Sequence, residues 1–176
     1  MAEVGIVPIP AGSLFHASLP RFDYTDVFGC GFSSQRELKP EDAVRAFFKS
    51  APGWVRFLMA LRDRIVGLIG LKTSGDFSEA AFDRFVIAPG NSLGVFHIFA
   101  VGPHEIILGE NDSHLDFRVL VRLEPDGEAK HRLTVATGVR VNNLLGRLYF
   151  IPVGMFHRRI VPAMLRGIVR TLAGPA

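Results

Sequence analysis

Hydrophobic residues recur every three or four positions between Pro40 and Leu71, which is the spacing of amphipathic helices. Pro40-Glu41-Asp42 predicts the start of a first helix, because proline fits a first helical turn and acidic residues there complement the helix dipole. After a break at Ala51-Pro52-Gly53, the residues from Trp54 to Leu71 predict a second helix. The pattern therefore predicts two helices in succession.

From Phe77 onward the hydrophobic period changes to two, and turn-forming residues separate the segments. We predict antiparallel strands near residues 82–88, 93–101, 104–110, 114–124 and 131–142. In the segment 114–124 the odd positions are all apolar and the even positions are mostly charged or polar. We expect one face of this sheet to form the core and the other to face water.

The two ends of the chain complete the predicted element order. A short strand is predicted near residues 13–18, and Phe22–Phe32 is interpreted as a loop or a partly extended stretch because it contains Gly29 and Gly31. Asn142-Asn143 can cap a helical segment over residues 145–172. Within that segment Pro152 predicts a break, with a short helix to about residue 151 and a longer one from about 153, while Pro162 predicts a bend or one missing hydrogen bond.

Composition limits the class of protein. The chain has 176 residues, 48% of them hydrophobic and 21% charged, which fits one domain with a substantial core and excludes a disordered or collagen-like chain. A single cysteine, Cys30, excludes an internal disulfide and a CxxC metal site and fits a reducing, cytoplasmic location. We find no signal peptide and no apolar run long enough to span a membrane.

Positive charge is concentrated at the C-terminal end. The net charge is +3, but residues 143–176 carry +5 and the remainder −2. Such a segment could contact an anionic membrane surface or an acidic partner, or it could be the solvated face of a helix. The basic residues of this segment are Arg147, Arg158, Arg159, Arg166 and Arg170.

Three strings resemble a bacterial family described as domain of unknown function 2867. They are residues 52–72 (PGWVRFLMALRDRIVGLIGLK), residues 109–118 (GENDSHLDFR) and residues 143–158, which begin NLLGRLYF. The resemblance covers about residues 10 to 170. The family commonly has a proline before the Phe156-His157 pair, where this chain has Met155.

The element order is that of the helix-grip fold of the START/Bet v 1-like (SRPBCC) superfamily. We therefore predict one α+β domain over residues 1–176, with a curved antiparallel sheet wrapped around a long C-terminal helix and two short helices after the first strand. The resemblance supplies no activity for the family. It implies an apolar small molecule, lipid-like or aromatic, bound between the sheet and the C-terminal helix.

Five residues are candidates for the wall or mouth of such a cavity. Arg147, Tyr149 and His157 flank the predicted break at Pro152, where unpaired backbone groups could leave space for a ligand. His97 and Phe99 lie in a strand that is apolar on both sides, and a lone histidine there is also typical of an ordinary core residue. The alternative for Arg147 and Tyr149 is a local ion pair or backbone hydrogen bond.

A second polar cluster comprises His114, Asp116 and Arg118 on one strand and Arg140 on the next. His114 could act as a general base oriented by Asp112 or Asp116, with Arg118 holding an anionic group. Alternation instead places this cluster opposite the apolar face, which predicts cross-strand ion pairs on the outer face of the sheet.

No sequence signature identifies a catalytic centre, cofactor or metal. Phosphate-binding glycine loops, nucleophile motifs and metal-ligand spacings are absent, and the polar strand faces lack the aromatics of an RNA-binding sheet. Three hypotheses remain: a monomeric or homodimeric small-molecule-binding domain, an enzyme that uses His97, His157 or Tyr149 on a carbonyl substrate, and an interaction domain that docks peripherally through its basic C-terminal helix.

Overall fold

The computed structural model describes residues 3–68 and 85–174. The helices are α1 (Pro40–Lys49), α2 (Gly53–Leu68) and α3 (Leu144–Ala173), preceded by a short 3-10 helix (Leu14–Ala17). The strands are β1 (Gly5–Ile6), β2 (Tyr24–Ser33), β3 (Ser92–Leu93), β4 (Phe96–Val101), β5 (Glu105–Asn111), β6 (Leu115–Pro125) and β7 (Lys130–Val141).

These strands form one curved antiparallel sheet in the order β1-β2-β7-β6-β5-β4-β3. Strands β3 to β7 follow one another as a meander, and β2 joins the sheet by pairing with β7, with Tyr24 opposite Val139. The predicted fold class is confirmed: an α+β architecture with a long C-terminal helix packed on an antiparallel sheet, consistent with a helix-grip fold.

The main core lies between α3 and the concave face of the sheet. The C-terminal half of α3 contributes Val161, Leu165, Ile168 and Leu172, which pack with apolar residues of β2, β5, β6 and β7. Helix α1 closes the same core with buried alanine and valine side chains. Burying each large aliphatic side chain contributes about 1.5–3 kcal/mol, so this layer fixes where α3 crosses the sheet.

The outer face of the sheet is partly buried, where alternation predicted that it would be wet. Phe15 of the 3-10 helix stacks on Phe22 at 5.0 Å and packs on Val27, Ile107 and Leu120. The buried carboxylate of Glu105 holds this segment in place: it accepts hydrogen bonds from Ser13 Oγ at 2.8 Å and Leu14 N at 2.6 Å. It also forms an ion pair with Arg122 at 2.9 Å.

Several predicted elements require correction. Residues 14–17 form a 3-10 helix instead of a strand, and the stretch interpreted as a loop around Gly29 contains the ten-residue strand β2. Residues 85–88 are not a strand, and residues 82–84 and 69–71 of the predicted elements lie outside the described residues. The glycines were interpreted as loop residues, but Gly29 lies in a crowded part of the strand. The Val7 side chain is 3.0 Å from the position that a Cβ atom of residue 29 would occupy, so a residue without a Cβ fits there.

Helix α3 is continuous across Pro152, where a break was predicted, and it also continues through Pro162, where a bend or one missing hydrogen bond was predicted. Asn143 caps it as predicted, since its side-chain oxygen accepts a hydrogen bond from Gly146 N at 3.0 Å. The carbonyls that the two prolines leave without an amide donor belong to Leu148 and Arg158, which are both exposed. Water can satisfy those carbonyls, so neither proline has to end the helix.

Within the two described ranges, no helix combines the length and the apolar character needed to cross a membrane.

Candidate functional site

Polar side chains gather around a small cavity at the end of the concave face nearest the start of α3. The cavity has a volume of about 50 Å³, enough for a water molecule or the polar end of a ligand. It is lined by Arg62, Val95, Glu110, Asp112, His114, Leu115, Phe117 and Tyr149.

His114 is the most unusual residue in this wall. Its side chain is 3% exposed, and neither ring nitrogen has a hydrogen-bond partner among the described residues. The nearest carboxylate oxygen is Asp112 Oδ2, 3.5 Å from Nδ1, and the ring lies edge-on to Tyr149 at 5.2 Å between centroids. Burying an imidazole without partners costs free energy, so this position favours a bound polar group.

The structure places His114 in the cavity wall, whereas alternation predicted the outer face. His114 precedes the first residue of β6 and belongs to the turn after β5, so the period of two does not govern its direction. Its carbonyl accepts a hydrogen bond from Asn142 N at 3.0 Å. Asn143 Nδ2 donates to Ser113 O at 2.9 Å, so the same asparagine that caps α3 also holds the turn.

Gly146 allows α3 to contact this turn directly. A Cβ atom at Gly146 would overlap the backbone carbonyl of His114, so only glycine fits there without a shift. Asn142 also connects to this turn through its side chain, since its Nδ2 donates to Asp112 O at 2.9 Å. The histidine is therefore positioned by backbone contacts to the first turn of the helix.

Asp112 is the carboxylate nearest to the imidazole. Burial raises the pKa of Asp112, but hydrogen bonds from the Ser113 hydroxyl and amide and the attraction of His114 outweigh burial and leave the pKa below its usual range. Asp112 is therefore ionised at neutral pH. Its Oδ2 is the carboxylate oxygen that lies nearest to the His114 ring, 3.5 Å from Nδ1.

Tyr149 forms the helix side of the cavity together with Arg62 of α2. Arg62 Nε donates to the Tyr149 hydroxyl at 3.0 Å, and its Nη1 lies 2.7 Å from Asp63 Oδ1. The hydrogen bond from Arg62 holds the Tyr149 ring edge-on to the His114 ring. Tyr149 is thus one predicted cavity residue that lines the observed cavity.

His97 contacts Glu110, a residue of the cavity wall, and does not itself line the cavity. His97 Nε2 lies 3.0 Å from Glu110 Oε2, and Glu110 is itself a wall residue. The bulge between Ile98 and Ala100 in β4 lies just beyond His97.

His157 belongs to a separate polar cluster with β2. Its Nδ1 and the Tyr24 hydroxyl both lie 2.7 Å from Asp26 Oδ2. Burial, followed by the hydrogen bond and negative charge of Asp26, raises the pKa of Tyr24 to about 12. Tyr24 therefore stays protonated and donates to Asp26, and the cluster attaches α3 to β2.

The remaining predicted residues lie away from the cavity. Phe99 faces the outer side, where the Arg118 guanidinium lies 3.5 Å from its ring centroid. Arg147 is exposed on α3 and does not line the cavity. Asp116 and Arg140 form a cross-strand pair at 3.7 Å, and Arg118 donates to Glu110 O, Phe117 O and Asn111 Oδ1.

Sequence reasoning missed Arg62, Tyr24 and Asp26. Tyr24 and Asp26 carry a usable signal, because they share the strand face of Phe28, which points into the core. Polar residues on that face predict a polar end to the concave surface. Arg62 carries no such signal, since its partner Tyr149 is 87 positions away.

The described residues limit the chemistry of the cavity. Burial raises the pKa of the Cys30 thiol to about 11, so Cys30 is not a nucleophile at neutral pH. No three His, Cys, Asp or Glu side chains within residues 3–68 and 85–174 lie close enough together to hold a metal ion. Hydrogen bonding and proton transfer by His114 and Asp112 remain available.

Comparisons with known proteins identify the family and no activity. No curated protein matches the chain. A crystal structure of a conserved protein from Geobacillus kaustophilus is similar at 9% identity and a TM-score of 0.43, covering 85% of this chain and 95% of that one. A family model described as "Protein of unknown function (DUF2867)" matches residues 18–164. The chain therefore belongs to this family.

Proposed function

We propose that this protein binds a small molecule with an apolar body and one neutral polar group, in the space between the sheet and α3. The observation that carries the proposal is His114, buried in a cavity wall with two unpartnered ring nitrogens among the described residues. A ligand hydroxyl or carbonyl at this position would satisfy the imidazole and offset the cost of burying it.

The cavity wall indicates the character of the ligand. Val95, Leu115 and Phe117 offer apolar surface beside the histidine, the usual composition of a small-molecule site. Two carboxylates, Glu110 and Asp112, also line the wall. Because an anionic head group would face both of them, a neutral alcohol or ketone fits better than a free fatty acid.

The element order supports placing the family in the START/Bet v 1-like superfamily, whose members bind apolar molecules between sheet and C-terminal helix. We include in the proposal that residues 1–176 form one domain, monomeric or homodimeric. A cytoplasmic location is included because Cys30 is unpaired and buried.

Native mass spectrometry of the freshly purified protein, compared with its denatured mass, tests the proposal. We expect a releasable small molecule, or thermal stabilisation by neutral sterol-like or aromatic alcohols and ketones. His114→Phe keeps a ring in the wall but removes both nitrogens, and should abolish the effect. His16→Phe, at an exposed histidine, is the control. Equal ligand response in wild type and His114→Phe would refute the role of His114.

A second function is favoured by the pairing of Asp112 with His114. A carboxylate 3.5 Å from an imidazole that lies beside a phenol could orient that imidazole once a ligand is bound, which suits proton transfer at a bound carbonyl compound. Mass spectrometry of the recovered ligand distinguishes the two functions. An unchanged ligand mass after incubation supports binding alone, and a converted ligand whose formation requires His114 supports an enzyme.

A further inference from the structure

The solvent-facing side of the first half of α3 is apolar. Leu144, Leu148, Ile151 and Met155 lie on successive turns and are 59 to 69% exposed. A surface helix normally presents its polar side to water. Here one side of the helix packs on the sheet, and a second, apolar side is exposed among the described residues.

Helix α2 extends this apolar stripe. Trp54, Phe57 and Leu61 are exposed on one side of α2. An open groove of about 390 Å³ between the two helices is lined by Trp54, Phe57, Leu58, Phe156 and Arg159. We call eight of the exposed apolar residues of the two helices the α2–α3 face: Trp54, Phe57, Leu61, Leu144, Leu148, Ile151, Met155 and Phe156.

Positive charge lies beside the α3 stripe and, through Arg159, in the groove itself. Arg147 and Arg158 lie to one side of the α3 stripe at helical spacing and Arg159 to the other, and all three are exposed. Residues 143–174 contain no acidic residue. On α2, Arg56 and Arg64 are exposed as well.

We propose that the α2–α3 face docks on an anionic phospholipid surface, with α3 lying in the plane of the interface. The apolar stripe would enter the acyl boundary while the arginines contact headgroup phosphates, as in amphipathic helices that lie on membranes. Trp54 has the side-chain chemistry that membrane interfaces favour.

A second copy of this chain fits the same face less well. In a twofold dimer the same surface patch meets itself, so the arginines bordering the stripe on one copy would meet those on the other. Repulsion of like charges opposes that contact. An anionic bilayer provides an apolar interior for the stripe and negatively charged headgroups for the arginines.

The experiment is vesicle co-sedimentation of the full chain with neutral phosphatidylcholine vesicles and with vesicles that also contain phosphatidylglycerol, at low and at high salt. We expect binding to the anionic vesicles that weakens with salt. Trp54, the single tryptophan, reports the contact site. Its emission should shift to the blue and be quenched by brominated acyl chains.

Two pairs of variants test the face itself. Leu148→Glu and Met155→Glu should each lower vesicle affinity about tenfold or more, and Arg158→Gln with Arg159→Gln should reduce the salt dependence. Val86→Glu, an exposed apolar position on another part of the chain, should bind like wild type. Circular dichroism of each variant verifies folding.

Three results would overturn the proposal: no co-sedimentation even at low salt, binding that the stripe and arginine variants leave unchanged, or a stable dimer in light scattering that Met155→Glu converts to monomer. The last would assign the face to a second copy. His114→Phe should bind vesicles normally, which separates this proposal from that of the cavity.

Discussion

Gly146 of α3 lies directly against the backbone carbonyl of His114, with no room between them for a Cβ atom. This contact joins the helix to the turn that presents the buried imidazole. Because Asn142 and Asn143 hold the same turn by hydrogen bonds, a change at Gly146 should reach the cavity without touching any side chain in its wall.

Gly146→Ala should destabilise the protein by about 1–3 kcal/mol, the usual cost of overpacking, although alanine is intrinsically the better helix residue. Chemical denaturation measures the change. Gly67→Ala on α2 is the matched control, because no atom of the described residues lies within 4 Å of its Cβ position, and it should be neutral or stabilising. Equal effects of the two substitutions would contradict the contact.

His114→Phe should raise the stability of the ligand-free protein by about 1–3 kcal/mol, since it retains a ring and removes two buried nitrogens that have no hydrogen-bond partner among the described residues. For a domain of this size that corresponds to a few degrees in Tm. Differential scanning calorimetry checks it. A loss of stability would show that His114 is already satisfied in the free protein.

Tyr24 should ionise near pH 12. Its pKa is raised by burial and by Asp26, so the folded state holds the phenol proton more tightly than the unfolded chain does. The resulting stabilisation is complete below about pH 10, the pKa of an unperturbed tyrosine, and is lost as pH rises through 12.

Absorbance titration of Tyr149→Phe, in which Tyr24 is the remaining tyrosine, measures this directly. Adding Asp26→Asn should move the midpoint below 12 without returning it fully to the free value, because burial remains. A midpoint near 10 in the parent variant would argue against both the burial of Tyr24 and its hydrogen bond to Asp26.

Glu105→Ala should destabilise the protein by about 3–5 kcal/mol, because it leaves Arg122 without one of its two carboxylates and removes the acceptor of Ser13 and Leu14. Glu128→Ala, at an exposed position on the β6–β7 turn, should change stability by less than about 0.5 kcal/mol. Limited proteolysis should also cleave the N-terminal segment faster in Glu105→Ala than in wild type, and no faster in Glu128→Ala.

The sequence predicted those elements whose pattern is local. Strands β5, β6 and β7 and helices α1 and α2 begin within a residue or two of the predicted positions, because alternation and helical spacing record which face is buried. Strand β2 was missed because its central residues are buried on both faces and contain two glycines. The continuity of α3 was missed because the sequence pattern does not show that Leu148, whose carbonyl loses its donor at Pro152, is an exposed residue.

The cavity could be predicted only in part. Tyr149 was expected there because of its place beside Pro152, but the helix does not break, and the reason for its position is the hydrogen bond from Arg62. His114 was expected to point outward because alternation was extended one residue beyond the strand. Contacts between residues far apart in sequence, such as Asp26 with His157, produce no periodic pattern in the sequence from which they could be predicted.

The pairing of β2 with β7 has a consequence for how the chain folds. Strands β4 to β7 can pair with their sequence neighbours soon after they are made, but β2 must wait for β7, its partner at the other end of the meander. Closing so large a loop slows folding. During synthesis on the ribosome β2 emerges with an apolar face and with the edge that pairs with β7 still open, so a chaperone that shields this strand would raise the yield of folded protein.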